Sequence, residues 1–451
     1  MTLKINKITI KNFKSIKNVT LNIDNLTVMV GRNGSGKTNI IEAINFNKSL
    51  FKSEPMKYPF TKWWGYSNLV YNHNIGEPIS FSFDITVKKY KLYYEYDILD
   101  NNGIPNFISE HIVIDNYVDI LRKGSIIEIK HLNNAIQKLS EADIARDLTE
   151  HWHTDKEEIL KQIKQTQYIN DISSSQSIIT PWNRTGLSFG LSDIVISTSS
   201  SNKNGFPSDS VIKNSVTIIS PSLKVSKDGN NDFYQGLADF VFWGGIVRGI
   251  FDKIVTIGPI DYKAIKNRVP ITGSSKIADD GSGLVRTLYQ YFLKNRSLPP
   301  LVENGIQTFF PGWELNFDSM SDGTITLFVK SGEDYFYPPS LPLGFYKLVM
   351  ILELIEQEPA ILLIDELENS LHEKMIEYIL DAIRAKGIKT VISTHSPMVV
   401  DLVDLKYILI VRMFDKQTEI KRIKNSKQKS ENLIKEGITP SESLLYGDID
   451  R

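Results

Sequence analysis

Residues 3–10 alternate between apolar and polar side chains, the two-residue period of a half-buried strand. Leu26-Thr27-Val28-Met29-Val30 is a short apolar run bounded by polar residues, which predicts a buried strand. The spacing then changes. Ile40, Ile41, Ala43 and Ile44 share one helical face, so a helix is predicted from Gly36 to about Asn47. Ile79, Phe81, Phe83 and Ile85 alternate again, and Lys88-Lys89 turns the chain into a Tyr-rich second strand of a hairpin over 79–99.

Between 131 and 170 the pattern loosens. Ile136, Leu139, Ile144, Leu148, Trp152, Ile159, Leu160 and Ile163 follow a rough helical spacing, which predicts one or two helices. The run is too short and irregular for a long coiled coil. Residues 171–232 are rich in Ser, Asn and Gly and read as loops between short strands. Apolar content returns from about 233. A helix is expected over Leu348–Ile355, and strands over Ile361–Ile364 and Thr390–Ser393. A closing hairpin is expected from Ile408–Met413 and Glu419–Ile423, and a mobile, Lys-rich surface segment at the end. The predicted organisation is 1–129, 130–250 as an insertion, 251–424, and a polar tail over 425–451. No repeat recurs at a period of 20–50 residues.

Composition narrows the classes. The 451 residues are 41% hydrophobic and 23% charged, enough for a sizeable core. Lys+Arg number 52 and Asp+Glu 53, a net charge of −1, which argues against coating DNA by bulk positive charge. The absence of cysteine excludes disulfide scaffolds, Cys-ligated zinc, iron–sulfur clusters and cysteine nucleophiles. No apolar run reaches the ~18 residues of a membrane span. The first residues lack the apolar core of a signal peptide, so the expected location is cytoplasmic. Trp63-Trp64 is expected to be buried rather than an interface anchor.

The strongest chemical signal is Gly31-Arg32-Asn33-Gly34-Ser35-Gly36-Lys37-Thr38, a match to G-x-x-x-x-G-K-[ST] between a predicted strand and a predicted helix. Glycines let such a loop curl until backbone N–H groups of Asn33, Gly34, Ser35 and Gly36 face phosphate oxygens, and the helix start adds partial positive charge. Lys37 is placed to meet the β- and γ-phosphates and Thr38 to ligate Mg²⁺. Ile361-Leu362-Leu363-Ile364-Asp365-Glu366 is a buried strand ending in two carboxylates. Asp365 is the candidate Mg²⁺ holder and Glu366 the candidate base toward the attacking water. A third buried strand ends in His395, where an imidazole can report a γ-phosphate.

The opening Ile10-Lys11-Asn12-Phe13-Lys14-Ser15 with the loop at 31–38 resembles ATP-binding-cassette heads of the chromosome-maintenance and recombination-repair type. Asp365-Glu366-Leu367-Glu368-Asn369-Ser370-Leu371-His372 resembles the overcoming-lysogenization-defect (OLD) branch of AAA-type cassette ATPases, whose members read D-E-P-E-N-G-L-H. Gly258-Pro259-Ile260 and Asp280-Gly281-Ser282-Gly283-Leu284 also match that branch. The resemblance implies an α/β P-loop NTPase of ABC-ATPase type, with a mixed sheet, a β-rich N-terminal lobe and a helical insertion. It implies ATP and Mg²⁺ as cofactors, Glu366 as catalytic base and His395 as switch histidine. It further implies a homodimer or higher homo-oligomer and a DNA-linked or phage-defence role with a separate effector protein. The rivals are a repair ATPase acting directly on DNA, with nucleic acid as its partner, and a weakly hydrolysing ATP-gated scaffold.

The family's signature segment falls on Leu341-Pro342-Leu343-Gly344-Phe345-Tyr346-Lys347. The resemblance gives Gly344 contact with a partner's γ-phosphate. Pro342 stands where the family has Ser, and it offers neither hydroxyl nor N–H. Ser321-Asp322-Gly323-Thr324 also fits the signature letters, but the residues after it read as a strand where a helix is required. Nucleases of the OLD family carry a TOPRIM domain after the ATPase. The 56 residues after His395 are too few for one, so none is expected here.

Overall fold

The computed structural model describes residues 3–51, 59–87, 90–115, 118–123, 126–131, 195–197, 215–217, 247, 249–273 and 276–446. The residues of the predicted helices, Ile136 to Ile163, lie outside these residues, as do Lys88-Lys89 and most of the Ser/Asn-rich stretch. Two compact units interleave along the chain: Met1–Asn22 with Phe46–Lys253, and Ile23–Asn45 with Ile254–Arg451.

The first unit is built on a seven-stranded antiparallel sheet. Its spatial order is Ile16–Asn22, Leu3–Phe13, Ile79–Val87, Tyr90–Asn101, Ile104–Ile114, Val118–Lys123 and Ile126–His131. Strict alternation buries Ile79, Phe81, Phe83, Ile85 and Val87 on one face, opposite Leu92, Tyr94, Tyr96 and Ile98 of the next strand. Aromatic rings fill this face. Phe51 stacks on Phe251 at 4.7 Å between centroids, and Phe251 meets Phe83 edge-on at 4.9 Å. The fully buried Tyr96 donates its hydroxyl to Asn47 Oδ1 at 2.5 Å, and burial holds that phenol well above its ordinary pKa. A buried hydroxyl without such a partner would cost about 1–3 kcal/mol. Trp64 corrects one expectation. It is 92% exposed at φ 63°, because a left-handed turn after Thr61–Trp63 swings it outward.

The second unit carries the sheet that positions the site. Its order is Ile254–Ile257, Ile361–Ile364, Thr390–Thr394, Leu26–Val30, Ile408–Phe414 and Gln417–Arg422. The first five strands run parallel and the last pairs antiparallel, closing the predicted hairpin. Parallel strands covered on both faces require continuous apolar runs. Ile361-Leu362-Leu363-Ile364 is fully buried at 0% exposure, which meets that demand.

One helix of this unit, Leu343–Glu356, is apolar nearly all round, and residues 345–355 are all buried. Such a helix belongs inside a core. Its register places Lys347 and Glu353 there as well. The stretch Thr324–Ser331 is a strand pairing with Trp313–Ser319, as expected of the rejected signature candidate.

Within the stretch expected as a polar tail, Ser426–Glu436 and Pro440–Tyr446 are helices. Leu433 is buried, and the Asp401 carboxylate accepts both the backbone N–H (2.9 Å) and the hydroxyl (2.8 Å) of Ser441. These anchors outweigh the Lys-rich composition, whose side chains stay on the solvent side. Among the described residues, no helix is long and apolar enough to cross a membrane.

Candidate functional site

In open α/β sheets ligands sit beyond the carboxyl ends of the strands. Three adjacent strands here end in the predicted residues. Leu26–Val30 leads into the phosphate loop, Ile361–Ile364 into Asp365-Glu366, and Thr390–Thr394 into His395. The helix after the loop starts at Lys37 and runs to Leu50. Gly36 sits at φ +100°, and a Cβ there would collide with the Thr418 side chain, so the turn requires glycine on two counts.

Asn33, Gly34, Ser35, Gly36, Lys37, Thr38, Asn39, Asp365, Glu366 and Ser393 line a pocket of about 260 Å³. A larger polar hollow, near Asp24, Lys389 and Lys406, lies away from these residues and has none of this chemistry. In the site, Lys37 Nζ donates to its own loop, to Gly31 O at 2.6 Å and Arg32 O at 3.2 Å. Burial lowers the Lys37 pKa, while Asp365, Glu366 and Glu368 pull it back up. The buried Ser35 hydroxyl has no hydrogen-bond partner among the described residues. A loop with an ammonium held only by its own carbonyls and an orphaned hydroxyl is suited to an incoming anion.

Thr38 Oγ1 donates to Asp365 Oδ2 at 3.3 Å. Ser393 Oγ donates to Asp365 Oδ1 in a short bond and accepts the Glu366 N–H at 3.0 Å. Burial raises the Asp365 pKa; the Ser393 and Thr38 bonds and Lys37 oppose this, and Glu366 adds to it. A divalent cation would remove that cost, and a hydroxyl beside a carboxylate is the oxygen donor set that Mg²⁺ takes. The residues therefore fit the metal.

Glu366 stands at φ +50°, a left-handed conformation that costs a non-glycine residue energy. Besides the N–H bond to Ser393, side chains hold it on two sides. Its carbonyl accepts from Lys347 Nζ at 2.9 Å, and its Oε2 accepts from Asn369 Nδ2 at 2.7 Å. Lys347 also donates to Asn369 O at 2.8 Å. This buried ammonium is pushed down to about 8 by burial, against the pull of Glu368, Glu366 and Asp365. His395 Nδ1 lies 3.1 Å from Glu368 Oε1 and 3.9 Å from Glu366 Oε1.

Gly344 does not line the pocket. It sits in the first turn of the helix that Pro342 caps, and a Cβ there would stand 2.6 Å from Ser370 O. Within this chain it permits close approach of the acidic turn. His372 caps the helix Glu373–Lys386 and meets Phe309 edge-on at 5.9 Å, away from the pocket lining. Sequence reasoning missed Ser393, Lys347, Glu368 and Asn369. A hydroxyl ending a buried strand and a lysine in an apolar helix were the available signals.

Comparison with known proteins agrees with this chemistry. A family model described as an AAA ATPase domain matches residues 3–236. A second model, whose description begins "AAA domain" and refers to an AbiEii toxin of a type IV TA system, matches residues 258–401. Endonuclease GajA of Bacillus cereus (strain VD045) is 42% identical over 60 residues, 13% of this chain and 10% of that protein. The chain thus spans about a tenth of the length of that curated relative. Among solved structures, an Smc head bound to the C-winged helix domain of ScpA is similar at TM-score 0.46 and 14% identity, over 95% of this chain and 99% of that one. The SMC head domain from Thermotoga maritima gives 0.40 and 13%, over 93% and 99%.

Proposed function

The chain belongs to the AAA ATPase domain family and is an ATPase, and on that premise we propose that it hydrolyses Mg-ATP as a dimeric conformational switch serving a separate effector protein. The observation that carries this reading is the meeting of Lys37, Thr38, Asp365 and Glu366 on one strand-end pocket. Backbone N–H groups from Asn33 to Thr38 cradle the phosphates, and Lys37 leaves Gly31 O and Arg32 O to neutralise them. Thr38 and Asp365 would hold Mg²⁺, which when bound would supply positive charge to offset that of the phosphates. Glu366 orients the attacking water and takes its proton as the water oxygen bonds to the γ-phosphorus and the bond to ADP breaks. His395 contacts the γ-phosphate and distinguishes ATP from ADP.

The signature segment supplies the second half of the switch. The resemblance gives this segment contact with a partner's γ-phosphate, and Gly344 with the start of its helix is assigned that role. Because Pro342 brings no donor, turnover is expected to be slow. The endonuclease name of one relative supports nucleic acid as the ultimate target, in DNA-linked or phage-defence work. The test compares Glu366→Gln with Lys37→Ala. The first should bind ATP, stay dimeric by light scattering and hydrolyse little; the second should lose nucleotide. Wild-type turnover by Glu366→Gln sinks the assignment of the base. A monomer at every ATP concentration sinks the switch.

A further inference from the structure

Glu368 lies in the acidic turn, but none of the roles above uses it. Its side chain is only 10% exposed. Oε1 faces His395 twice, at 3.0 Å from the backbone N–H and 3.1 Å from ring Nδ1. Oε2 is buried and has no hydrogen-bond partner among the described residues. Glu366, the other glutamate near the ring, stands at 3.9 Å from Nδ1, beyond hydrogen-bond range. Its own carboxylate is held instead by Asn369. The two glutamates have separate partners: Asn369 for Glu366, and His395 for Glu368.

A carboxylate accepts hydrogen and donates none, so its approach to within 3.1 Å favours the ring form that carries the hydrogen on Nδ1. That form leaves Nε2 as the ring nitrogen without a contact to Glu368. The imidazole is 47% exposed, and an untethered ring at a strand end would exchange rotamers and tautomers. Lys347, on the buried helix Leu343–Glu356, donates to carbonyls of this turn, and Glu368 is the carboxylate that most opposes the burial of its ammonium. A buried cation on the central helix and a buried anion on the turn therefore support each other.

We propose that Glu368 is the positioning residue for His395: it holds the Nδ1–H tautomer and aims the ring so that Nε2 meets the γ-phosphate end of the nucleotide. This rests on the reading of His395 as the switch histidine. It makes a prediction that a mere loop stitch through the His395 backbone N–H does not.

The experiment measures kcat and KM for ATP in Glu368→Ala, Glu368→Gln, His395→Ala and the Glu368→Ala/His395→Ala double variant. Histidine ¹⁵N spectra of the full chain give the tautomer directly. Glu368→Ala should lower kcat by about 10–100-fold, the scale on which outer partners orient ligating histidines, with KM little changed. The double variant should be no slower than His395→Ala alone. Glu368→Gln, whose amide oxygen still accepts from Nδ1–H, should keep more of the rate. The wild-type ring should show Nδ1–H, and Glu368→Ala should show mixed tautomers. An Nε2–H ring in the wild type, multiplying losses in the double variant, or unchanged kcat in Glu368→Ala each overturns the proposal. If the wild type does not hydrolyse ATP at all, the switch reading fails, while the tautomer spectra still decide the role of Glu368. If Glu368→Ala does not fold, Glu368→Gln and the wild-type spectrum decide it.

Discussion

The Ser393 hydroxyl donates to the Asp365 carboxylate while accepting the N–H of Glu366. One small side chain from a neighbouring strand thus fixes both the proposed metal holder and the backbone of the proposed base. Ser393 is fully buried, so water cannot replace it cheaply.

Ser393→Ala should therefore weaken Mg-ATP binding and turnover together. The loss is that of a hydrogen bond to a buried charged group, about 1.5–3 kcal/mol, or roughly 10- to 150-fold in kcat/KM. Ser393→Thr keeps the hydroxyl and should retain part of the activity. Steady-state kinetics with varied Mg²⁺ checks this. An alanine variant with wild-type kcat/KM would show that the hydroxyl is dispensable.

Gly344 makes a different kind of prediction. A methyl group there would meet Ser370 O at 2.6 Å, well inside contact distance, and Ser370 already sits at φ +65°. Gly344→Ala should push the acidic turn away from the central helix. The expected result is a loss of about 1–3 kcal/mol, the cost of overpacking, read as a lower melting midpoint. Glycine-to-alanine changes inside helices otherwise stabilise by up to about 1 kcal/mol, so the sign alone discriminates. An unchanged or higher midpoint would show that the turn yields freely.

Much of this site was legible before any coordinates, for a physical reason. The phosphate loop and the acidic strand end are each made of consecutive residues, and each must stand between a buried strand and a turn or helix. Ser393, Lys347, Asn369 and Glu368 act through contacts between segments 19–28 residues apart or through a turn closed on itself. No local period reports such contacts. Lys347 was the nearest to visible, because a single cation inside an otherwise apolar helix must find partners. The C-terminal helices were not legible, because a Lys-rich composition does not report contacts such as one buried leucine and one aspartate-held serine.

Lys347→Met tests that cation. Methionine matches the buried stem but abandons the carbonyls of Glu366 and Asn369. Relief of the buried charge offsets part of that loss, so stability should fall by no more than about 1–3 kcal/mol. Turnover should fall further than stability suggests, because Glu366 then loses one of the contacts that hold its left-handed backbone. Parallel melting and ATPase measurements separate the two. A variant that loses stability while keeping full kcat would confine Lys347 to packing.

Glu353 makes a prediction about pH. It is 3% exposed on the same central helix, and its pKa is raised to about 7 from 4.5. Burial is the main cause; a bond from Gln357 Nε2 at 3.0 Å opposes the shift and Glu356 adds to it. Below the unfolded pKa both states hold the proton, and Glu353 carries no ionisation penalty. Between 4.5 and about 7 the unfolded chain gives up its proton while the folded chain keeps it, so stability falls as pH rises. Well above 7 the penalty is complete, on the order of 3 kcal/mol for a shift of this size. Glu353→Gln removes the titration. Its amide still accepts from Gln357 but places an N–H₂ where Oε2 has no partner, a cost that does not vary with pH. The gap in unfolding free energy between the variant and the wild type should therefore move in the variant's favour from pH 4.5 to pH 8, and flatten above that. Melting curves at four pH values across this window measure it, and a gap constant with pH would show that folding does not shift the Glu353 titration.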